Sequence, residues 1–275
     1  MANAEKDPVF THRVIFENTY VIQGWGCDSY LLLGGDEAIM IDAGMSRRNI
    51  REYVQSLTEL PVTKVINTHS HFDHTGGNGF FDTVYITEYA SRSAKNDIGA
   101  ANGADFPLDY GFTFIKDGDI IDIGGRPLKI MELDCHSQGN IAILDIKNRL
   151  LFTGDEVECG QVLLLPGFGE KPGQLTARPA STVEKYLRTI KKLKALESEF
   201  DFIMPSHNGT PIHPSYIDMY IELAQRILDG YEGKEDCSSP TYGPHLSHFP
   251  KKEMNYRRGE WKGAALIYCR DRIRD

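Results

Sequence analysis

The feature that most constrains this chain is a dense run of metal-binding residue types, Thr68-His69-Ser70-His71-Phe72-Asp73-His74. Imidazole and carboxylate are the donors that borderline divalent cations such as zinc prefer. A β-branched, apolar segment, residues 62–67, precedes the run, and the turn-forming segment Thr75-Gly76-Gly77-Asn78 follows it. The run therefore lies where a strand ends, and its four donor side chains can turn toward one point. These residues predict a metal site.

The run does not complete a site by itself. One cation could take His69 and His71, and a second cation close to the first could take Asp73 and His74. Because a tetrahedral site needs more than two donors, both cations require ligands from elsewhere in the chain.

Three isolated residues are candidates for the missing ligands. His136, Asp155 and His207 each stand at the end of an apolar segment that reads as a strand. The run and the three isolated residues thus share one plan, in which a strand stops and a polar ligand stands at its carboxyl end.

The order of these residues resembles the metallo-β-lactamase superfamily of binuclear hydrolases. The shared features are the His-x-His-x-Asp-His run, a lone histidine, a Gly-Asp pair and a final Ser-His-Asn-Gly. The resemblance spans about residues 9–213 and includes Ile41-Asp42-Ala43-Gly44, which is similar to the superfamily's early Asp-x-Gly. It implies an α/β protein with the four-layered αβ/βα sandwich, in which two sheets pack face to face and the metals lie along one edge.

The resemblance also implies a role for each ligand. Asp155 would bridge two cations, and Asp42 would lie behind the ligands and orient them. From the residues alone, Asp42 could equally cap a helix that begins at Met45. The implied ligand sets are His69, His71 and His136 for one cation and Asp73, His74 and His207 for the other.

Position 71 bears on which metal is bound. Relatives that use a di-iron centre for electron transfer are similar in this motif but carry a carboxylate there, so His71 favours two zinc ions. Imidazole also suits iron, manganese and cobalt, which remain alternatives. Superfamily members that oxidise thiols with a single iron share much of the run, and an iron-dependent oxidoreductase acting on thiols or persulfides is the alternative function.

The favoured function is a metal-dependent hydrolase. Two cations that share a water lower its pKa far below the bulk value, which makes hydroxide available near neutral pH. Asp73 and Asp155 could take and return the proton during the reaction. The chain has no Gly-x-Ser-x-Gly motif that would indicate a serine nucleophile. The bonds open to such a hydroxide are an ester, lactone, thioester or amide of a small molecule, β-lactams included.

Four residues outside the metal set are candidates for contacting that substrate. Tyr110, Arg178 and Tyr216 could each donate to an oxyanion or meet an anion, and Phe168 lies in an apolar segment that could form a wall or simply be packed. A lactone or ester is slightly preferred. A thioesterase like glyoxalase II is the alternative. It ranks second because the carboxyl-terminal tail shows no clear equivalent of the basic residues that hold glutathione in that branch of the superfamily.

Length and pattern predict a single domain over residues 1–275. At 41% hydrophobic residues the chain can bury a large core. Two similar halves are expected at about residues 9–120 and 121–235, followed by a tail, residues 236–275, that returns as a strand. Helical periodicity appears over residues 47–57, 181–196 and 215–228.

Charge and cysteine content limit the partners and the compartment. A net charge of −9 argues against nucleic-acid substrates, which draw on clustered Lys and Arg. No apolar run approaches the length of a membrane span, and the first residues do not resemble a signal peptide. Five cysteines without regular spacing fit a reducing compartment. We therefore expect a cytoplasmic protein with no membrane partner, which could form a homo-oligomer through its tail.

Overall fold

The computed structural model describes residues 6–95, 106–164, 181–237 and 255–275. Two of the predicted substrate contacts, Phe168 and Arg178, lie outside these ranges. The first sheet has seven strands in sequence order, antiparallel from β1 to β4 and parallel from β4 to β7. Its strands are β1 Thr11–Phe16, β2 Thr19–Gln23, β3 Ser29–Leu33, β4 Ala38–Ile41, β5 Val62–Ile66, β6 Thr83–Thr87 and β7 Thr113–Ile115.

The second sheet has five strands in the order β13-β11-β10-β9-β8, and a third, smaller sheet has the order β12-β15-β14. In the second sheet β11 and β13 are parallel and the other neighbours are antiparallel. The strands are β8 Ile120–Asp122, β9 Pro127–Glu132, β10 Ile141–Asp145, β11 Leu150–Gly154, β12 Val162–Leu163, β13 Phe202–Pro205, β14 Tyr256–Trp261 and β15 Ala264–Cys269.

The two large sheets pack face to face. Tyr30 and Leu32 of β3 point into the cluster between the sheets, where they meet Ile143 and Phe152 of the second sheet. Their neighbour Leu31 points to the opposite face and packs with the first helix. Both faces of the central strands are therefore buried, which explains why these strands read as continuous apolar runs.

Helices cover the outer faces of both sheets. The first helix lies on the first sheet, and two long helices with the small third sheet cover the second sheet. This arrangement is the four-layered αβ/βα sandwich, so the predicted fold class is confirmed. The helices are α1 Ile50–Gln55, α2 Phe72–Thr75, α3 Glu88–Ser91, α4 Val183–Ala195 and α5 Ser215–Leu228.

The first helix is shorter than its periodicity predicts. Asn49 caps it, and its side chain accepts a hydrogen bond from the Glu52 N–H. Before the cap, the Ser46 hydroxyl accepts from the Arg48 N–H and the Asp7 carboxylate accepts from the Arg47 N–H. These side chains satisfy the backbone in a turn, so the helix begins at residue 50 rather than 47. Across the described residues, no helix is long and apolar enough to cross a membrane.

The carboxyl ends of several strands meet at one edge of the sandwich. Asp42 follows β4 and His69 follows β5, which is parallel to it. His136, Asp155 and His207 follow β9, β11 and β13, which all run in one direction in the second sheet. Strands that share a direction end at the same edge, and the fold thereby brings residues far apart in sequence to one place.

Candidate metal centre

The histidine run lies between β5 and the short helix α2. Two residues separate the end of β5 from His69, and His71 is the residue before α2 begins. Asp73 and His74 then occupy the helix, which turns them back toward His69. The ring centres of His69 and His74 are 4.0 Å apart, and those of His69 and His71 are 4.5 Å apart. The run therefore converges on one locus, as its spacing predicts.

Two of the groups of possible ligand atoms around this locus consist of the predicted ligands. In one, each of His69, His71, His136 and Asp155 offers an atom, and these atoms lie within 4.8 Å of one another. His136 comes from the second sheet, and its Nε2 is 3.0 Å from Nδ1 of His71. We call these three histidines the first set. They are the three residues that the resemblance assigns to one cation.

The other group consists of Asp73, His74 and His207, whose ligand atoms also lie within 4.8 Å of one another. Nε2 of His207 is 3.2 Å from Oδ2 of Asp73, and Nε2 of His74 is 3.7 Å from the same oxygen. We call these residues the second set. They match the ligands implied for the other cation.

Asp155 lies between the two sets. Its Oδ1 is 3.3 Å from Nε2 of His74, and its Oδ2 is 3.5 Å from Nε2 of both His136 and His207. Nε2 of His69 is 3.9 Å from Oδ2. One carboxylate thus faces histidines of both sets, which is the position that a bridging ligand requires.

The outer nitrogens of three histidines are held by hydrogen-bonding partners. Nδ1 of His69 is 3.1 Å from the Thr68 hydroxyl, and Nδ1 of His136 is 2.9 Å from the Leu163 carbonyl. Nδ1 of His74 is 2.8 Å from Oδ2 of Asp42. A partner on one ring nitrogen fixes the orientation of the ring, and it aims Nε2 into the centre.

Asp42 is fully buried behind the ligands. Its carboxylate accepts hydrogen bonds from the Thr68 N–H and the Thr68 hydroxyl, both at 2.8 Å, and it also meets the Ser206 hydroxyl at 3.4 Å. Its backbone has a positive φ of 56°, a conformation that is uncommon for residues other than glycine. Because Asn49 caps α1, the helix-cap interpretation of Asp42 is wrong.

Electrostatics prepare the first set to bind a cation. Burial, together with the neighbouring imidazoles, lowers the pKa of His69 well below its usual value and lowers that of His71 to about 3. Burial likewise lowers the pKa of His136. All three rings are therefore neutral at pH 7, as a metal ligand must be.

In the second set, neighbouring carboxylates affect the pKa of His207 more strongly than burial does. Burial opposes the charged form of His207, but Asp155 and a hydrogen bond to Asp73 raise its pKa to about 10. In the same way, burial would raise the pKa of Asp155, but His207 and His74 lower it well below its usual range. The second set is thus a region of opposite charges held out of water.

Several buried polar atoms that point into the centre make no hydrogen bond. Within the described ranges, Nε2 of His69, Nε2 of His74 and Oδ1 of Asp155 are buried and accept or donate no hydrogen bond. Buried polar atoms are rarely left in this state in folded proteins. Imidazole and carboxylate groups gathered at one buried locus are the donors that a borderline divalent cation prefers, so the residues present fit the implied metals.

The two described substrate candidates, Tyr110 and Tyr216, already have hydrogen-bonding partners. The Tyr110 hydroxyl is 3.4 Å from the Asn78 amide, and the Tyr216 hydroxyl is 2.9 Å from Sγ of Cys159. Residues 162–164 of the predicted apolar segment are packed, because β12 pairs with β15 and the Leu164 N–H donates to the Ile267 carbonyl.

Sequence reasoning did not identify two buried acids that follow Asp155. Glu156 accepts from the His136 N–H at 2.8 Å, and Glu158 accepts from the Asn208 side chain at 2.7 Å. Burial raises the pKa of Glu156 to about 7 and that of Glu158 well above its usual range. Their sequence signal is three acids within four residues directly after an apolar strand.

Comparisons with known proteins agree with this geometry. Residues 22–207 match the family model described as the metallo-beta-lactamase superfamily. The acyl-coenzyme A thioesterase of Homo sapiens is 24% identical over 246 residues, which cover 73% of this chain and 82% of that protein. The atrochrysone carboxyl ACP thioesterase of Aspergillus fumigatus is 23% identical over 227 residues, which cover 81% of this chain and 62% of that protein.

Among solved structures, a metallo-beta-lactamase from Pontibacter korlensis superposes with a TM-score of 0.58 at 19% identity. The superposition covers 79% of this chain and 99% of the other chain. At this identity the likeness shows the shared fold.

Proposed function

The chain belongs to the metallo-beta-lactamase superfamily of hydrolases, and from that premise we propose that it hydrolyses thioesters of small carrier molecules with the help of two divalent cations, most simply zinc. The observation that carries this proposal is the position of Asp155, whose carboxylate faces both sets of ligand atoms at 3.3 to 3.9 Å. One carboxylate that faces two sets of imidazole and carboxylate donors suits a pair of cations better than a single one.

The names of the relatives support a thioester as the bond that is cleaved. Both curated proteins described above are named as thioesterases, one for acyl-coenzyme A and one for an acyl carrier protein. They favour a thioester over the lactone or ester that the sequence slightly preferred. A thioester is also the bond that the glyoxalase II-like alternative would cleave.

In the proposed arrangement, His69, His71 and His136 would hold one cation, Asp73, His74 and His207 would hold the other, and Asp155 would contribute to both. Two cations bound there would lower the pKa of a shared water and polarise the substrate carbonyl. Zinc is the proposed metal because the donors are imidazole and carboxylate and because residue 71 is a histidine.

The chain's own side chains supply orientation and proton transfer. Asp42 and Thr68 fix the rings of His74 and His69, so that the donor atoms need no rearrangement when a substrate arrives. Asp73 is partly exposed, with 22% of its side chain accessible, whereas Asp155 is nearly buried. Asp73 is therefore the better placed of the two to exchange a proton with solvent.

The test is hydrolysis of an acyl-coenzyme A thioester, followed by release of the free thiol and compared with the matching oxygen ester. We expect turnover that is lost on chelation and restored by zinc, with the thioester preferred. As a control, Asp201→Asn changes an exposed carboxylate that pairs with Arg149 at the surface and should leave turnover unchanged. Oxygen consumption with a thiol substrate and no hydrolysis would instead support the iron-dependent oxidoreductase.

A further inference from the structure

Three acidic residues follow β11 within four positions, and all of them are buried. Asp155, Glu156 and Glu158 are 5%, 0% and 1% exposed. Carboxylates are seldom fully buried unless they hold a specific partner. Asp155 enters the centre, but the two glutamates point elsewhere, and their partners indicate what they do.

Glu156 holds the loop that carries His136. Its Oε2 accepts a hydrogen bond from the backbone N–H of His136 at 2.8 Å. The same loop is fixed from its other side by Asp134, whose Oδ1 accepts from the Gly139 N–H at 2.7 Å and whose Oδ2 pairs with Lys185 of α4 at 2.6 Å. His136 is the one member of the first set that comes from outside the histidine run, so its position depends on these contacts.

Glu158 holds the loop that carries His207. Its Oε2 accepts from the side-chain amide of Asn208 at 2.7 Å. Asn208 directly follows His207 and has a left-handed backbone with φ of 65°. On the other side of the histidine, the Ser206 N–H donates to the Gly154 carbonyl at 3.1 Å. His207 is the one member of the second set from outside the run, and it is held between these two contacts.

Two tyrosines anchor the backbone of the acidic segment. The Tyr186 hydroxyl of α4 donates to the Glu156 carbonyl, and the Tyr220 hydroxyl of α5 donates to the Glu158 carbonyl, both at 3.0 Å. The two rings meet edge to face with centroids 5.8 Å apart. The segment is thereby tied to both outer helices, and the glutamates reach their loops from a fixed base.

We propose that Glu156 and Glu158 are positioning residues with separate duties. Glu156 aims His136 at the cation of the first set, and Glu158 aims His207 at the cation of the second set. The inference rests on the proposed two-cation centre. Glu156 then sets the affinity for the first cation and Glu158 the affinity for the second, although the two glutamates are only two positions apart in sequence.

The experiment is a cobalt titration in which visible absorbance reports the occupancy of each set without reference to activity. His71→Ala removes a donor of the first set and leaves the second set intact, and Asp73→Ala does the reverse. Each background should bind a single cobalt ion. If wild-type protein binds no cation, the proposed function fails, and the failure is distinct from that of the present inference.

Glu156→Ala and Glu158→Ala are then placed in both backgrounds. Glu158→Ala should weaken cobalt in the His71→Ala background by roughly 10- to 100-fold, the usual effect of losing a group that supports a ligand, and leave the Asp73→Ala background unchanged. Glu156→Ala should give the opposite pattern. The Glu→Gln variants keep an acceptor oxygen and should restore most of the affinity.

A second variant, at the residue that donates the hydrogen bond to Glu158, separates a local effect from a general loss of folding. Asn208→Gly removes the same hydrogen bond as Glu158→Ala, adopts the left-handed backbone of this half-buried position without strain, and should reproduce its cobalt pattern. Glu156→Asp keeps the charge but is too short to reach the His136 N–H, so it should weaken the first set alone. If the variants of both glutamates weaken both sets equally, or neither set, the inference is overturned.

Discussion

The candidate metal centre has two sides that are built in different ways. One side is the histidine run, where four donors fall within six residues and one buried carboxylate, Asp42, supports them from behind. The other side consists of His136, Asp155 and His207, which come from three separate strand ends and are supported by Glu156 and Glu158. The first side is specified locally, whereas the second exists only when the second sheet has formed. Both sides use buried carboxylates to aim imidazoles.

The largest effect is expected at Asp155, where the two sides meet. Asp155→Ala should lower turnover by more than the roughly 100-fold seen when only a supporting group is lost, because the carboxylate faces both sets. Steady-state kinetics with an acyl-coenzyme A thioester measures this change. Asp201→Asn serves as the exposed control. If Asp155→Ala keeps two cations and a tenth or more of the wild-type turnover, Asp155 does not join the two sides.

Asp42→Asn should have the next largest effect, and it tests the support of the histidine run. An amide nitrogen facing Nδ1 of His74 would favour a proton on Nε2, the atom that must bind the cation. We expect cation affinity to fall by roughly 10- to 100-fold in the second set. Cobalt titration in the His71→Ala background measures it.

Asp145→Asn is the matched control for that variant. Asp145 is also a buried carboxylate, but it pairs with Arg126 at 2.6 Å between the sheets and lies outside both ligand sets. Its loss should lower thermal stability and leave cation affinity unchanged. Equal losses of affinity in both variants would mean that Asp42 acts only through general stability.

Gly154→Ala should disturb the contact between the two sides. Gly154 has φ of 54°, and a Cβ there would lie 2.6 Å from the Thr68 hydroxyl, which donates to Asp42. The left-handed backbone alone costs about 1–2 kcal/mol for alanine. We expect the free energy of unfolding to fall by more than this amount, which chemical denaturation measures. Cation binding should also weaken, which cobalt titration measures.

Gly118→Ala separates backbone strain from the close contact. Gly118 has φ of 84°, yet a Cβ there would meet nothing within 4 Å. This variant should show the backbone cost alone and bind cations normally. If both glycine variants behave alike, the approach of Gly154 to Thr68 has no part in joining the two sides.

The smallest effect is expected from the two candidate tyrosines, Tyr216 and Tyr110. Tyr216→Phe removes a hydroxyl that already contacts Cys159, so kcat should fall by no more than about tenfold, the worth of one neutral hydrogen bond. Tyr110→Phe should behave similarly because its hydroxyl meets Asn78. A fall in kcat of about 100-fold or more with unchanged KM would identify that tyrosine as an oxyanion donor. The centre would then include a functional group that belongs to neither side.

The contrast between the two sides also explains what the sequence could predict. The run and its flanking strand are local, and α5 was predicted with the bounds observed, Ser215–Leu228, because its apolar face repeats with helical period. The first helix was predicted too long, since side-chain hydrogen bonds around Asn49 override its periodicity.

The rest required tertiary structure. The residues alone suggested pairs within the run, and the division into two sets depends on which strand ends meet across the sheets. The sequence did not predict a role for Glu156 and Glu158, because glutamate is usually exposed. Only the fold shows that both are buried against the loops of His136 and His207.

The most direct test of the account is a count of divalent cations per folded chain by native mass spectrometry, made on wild-type protein and on His71→Ala and Asp73→Ala. The account predicts two cations in wild-type protein and one in each variant, because each substitution damages a single set. One cation in wild-type protein, or loss of every cation in His71→Ala, would contradict a centre made of two sets that share Asp155.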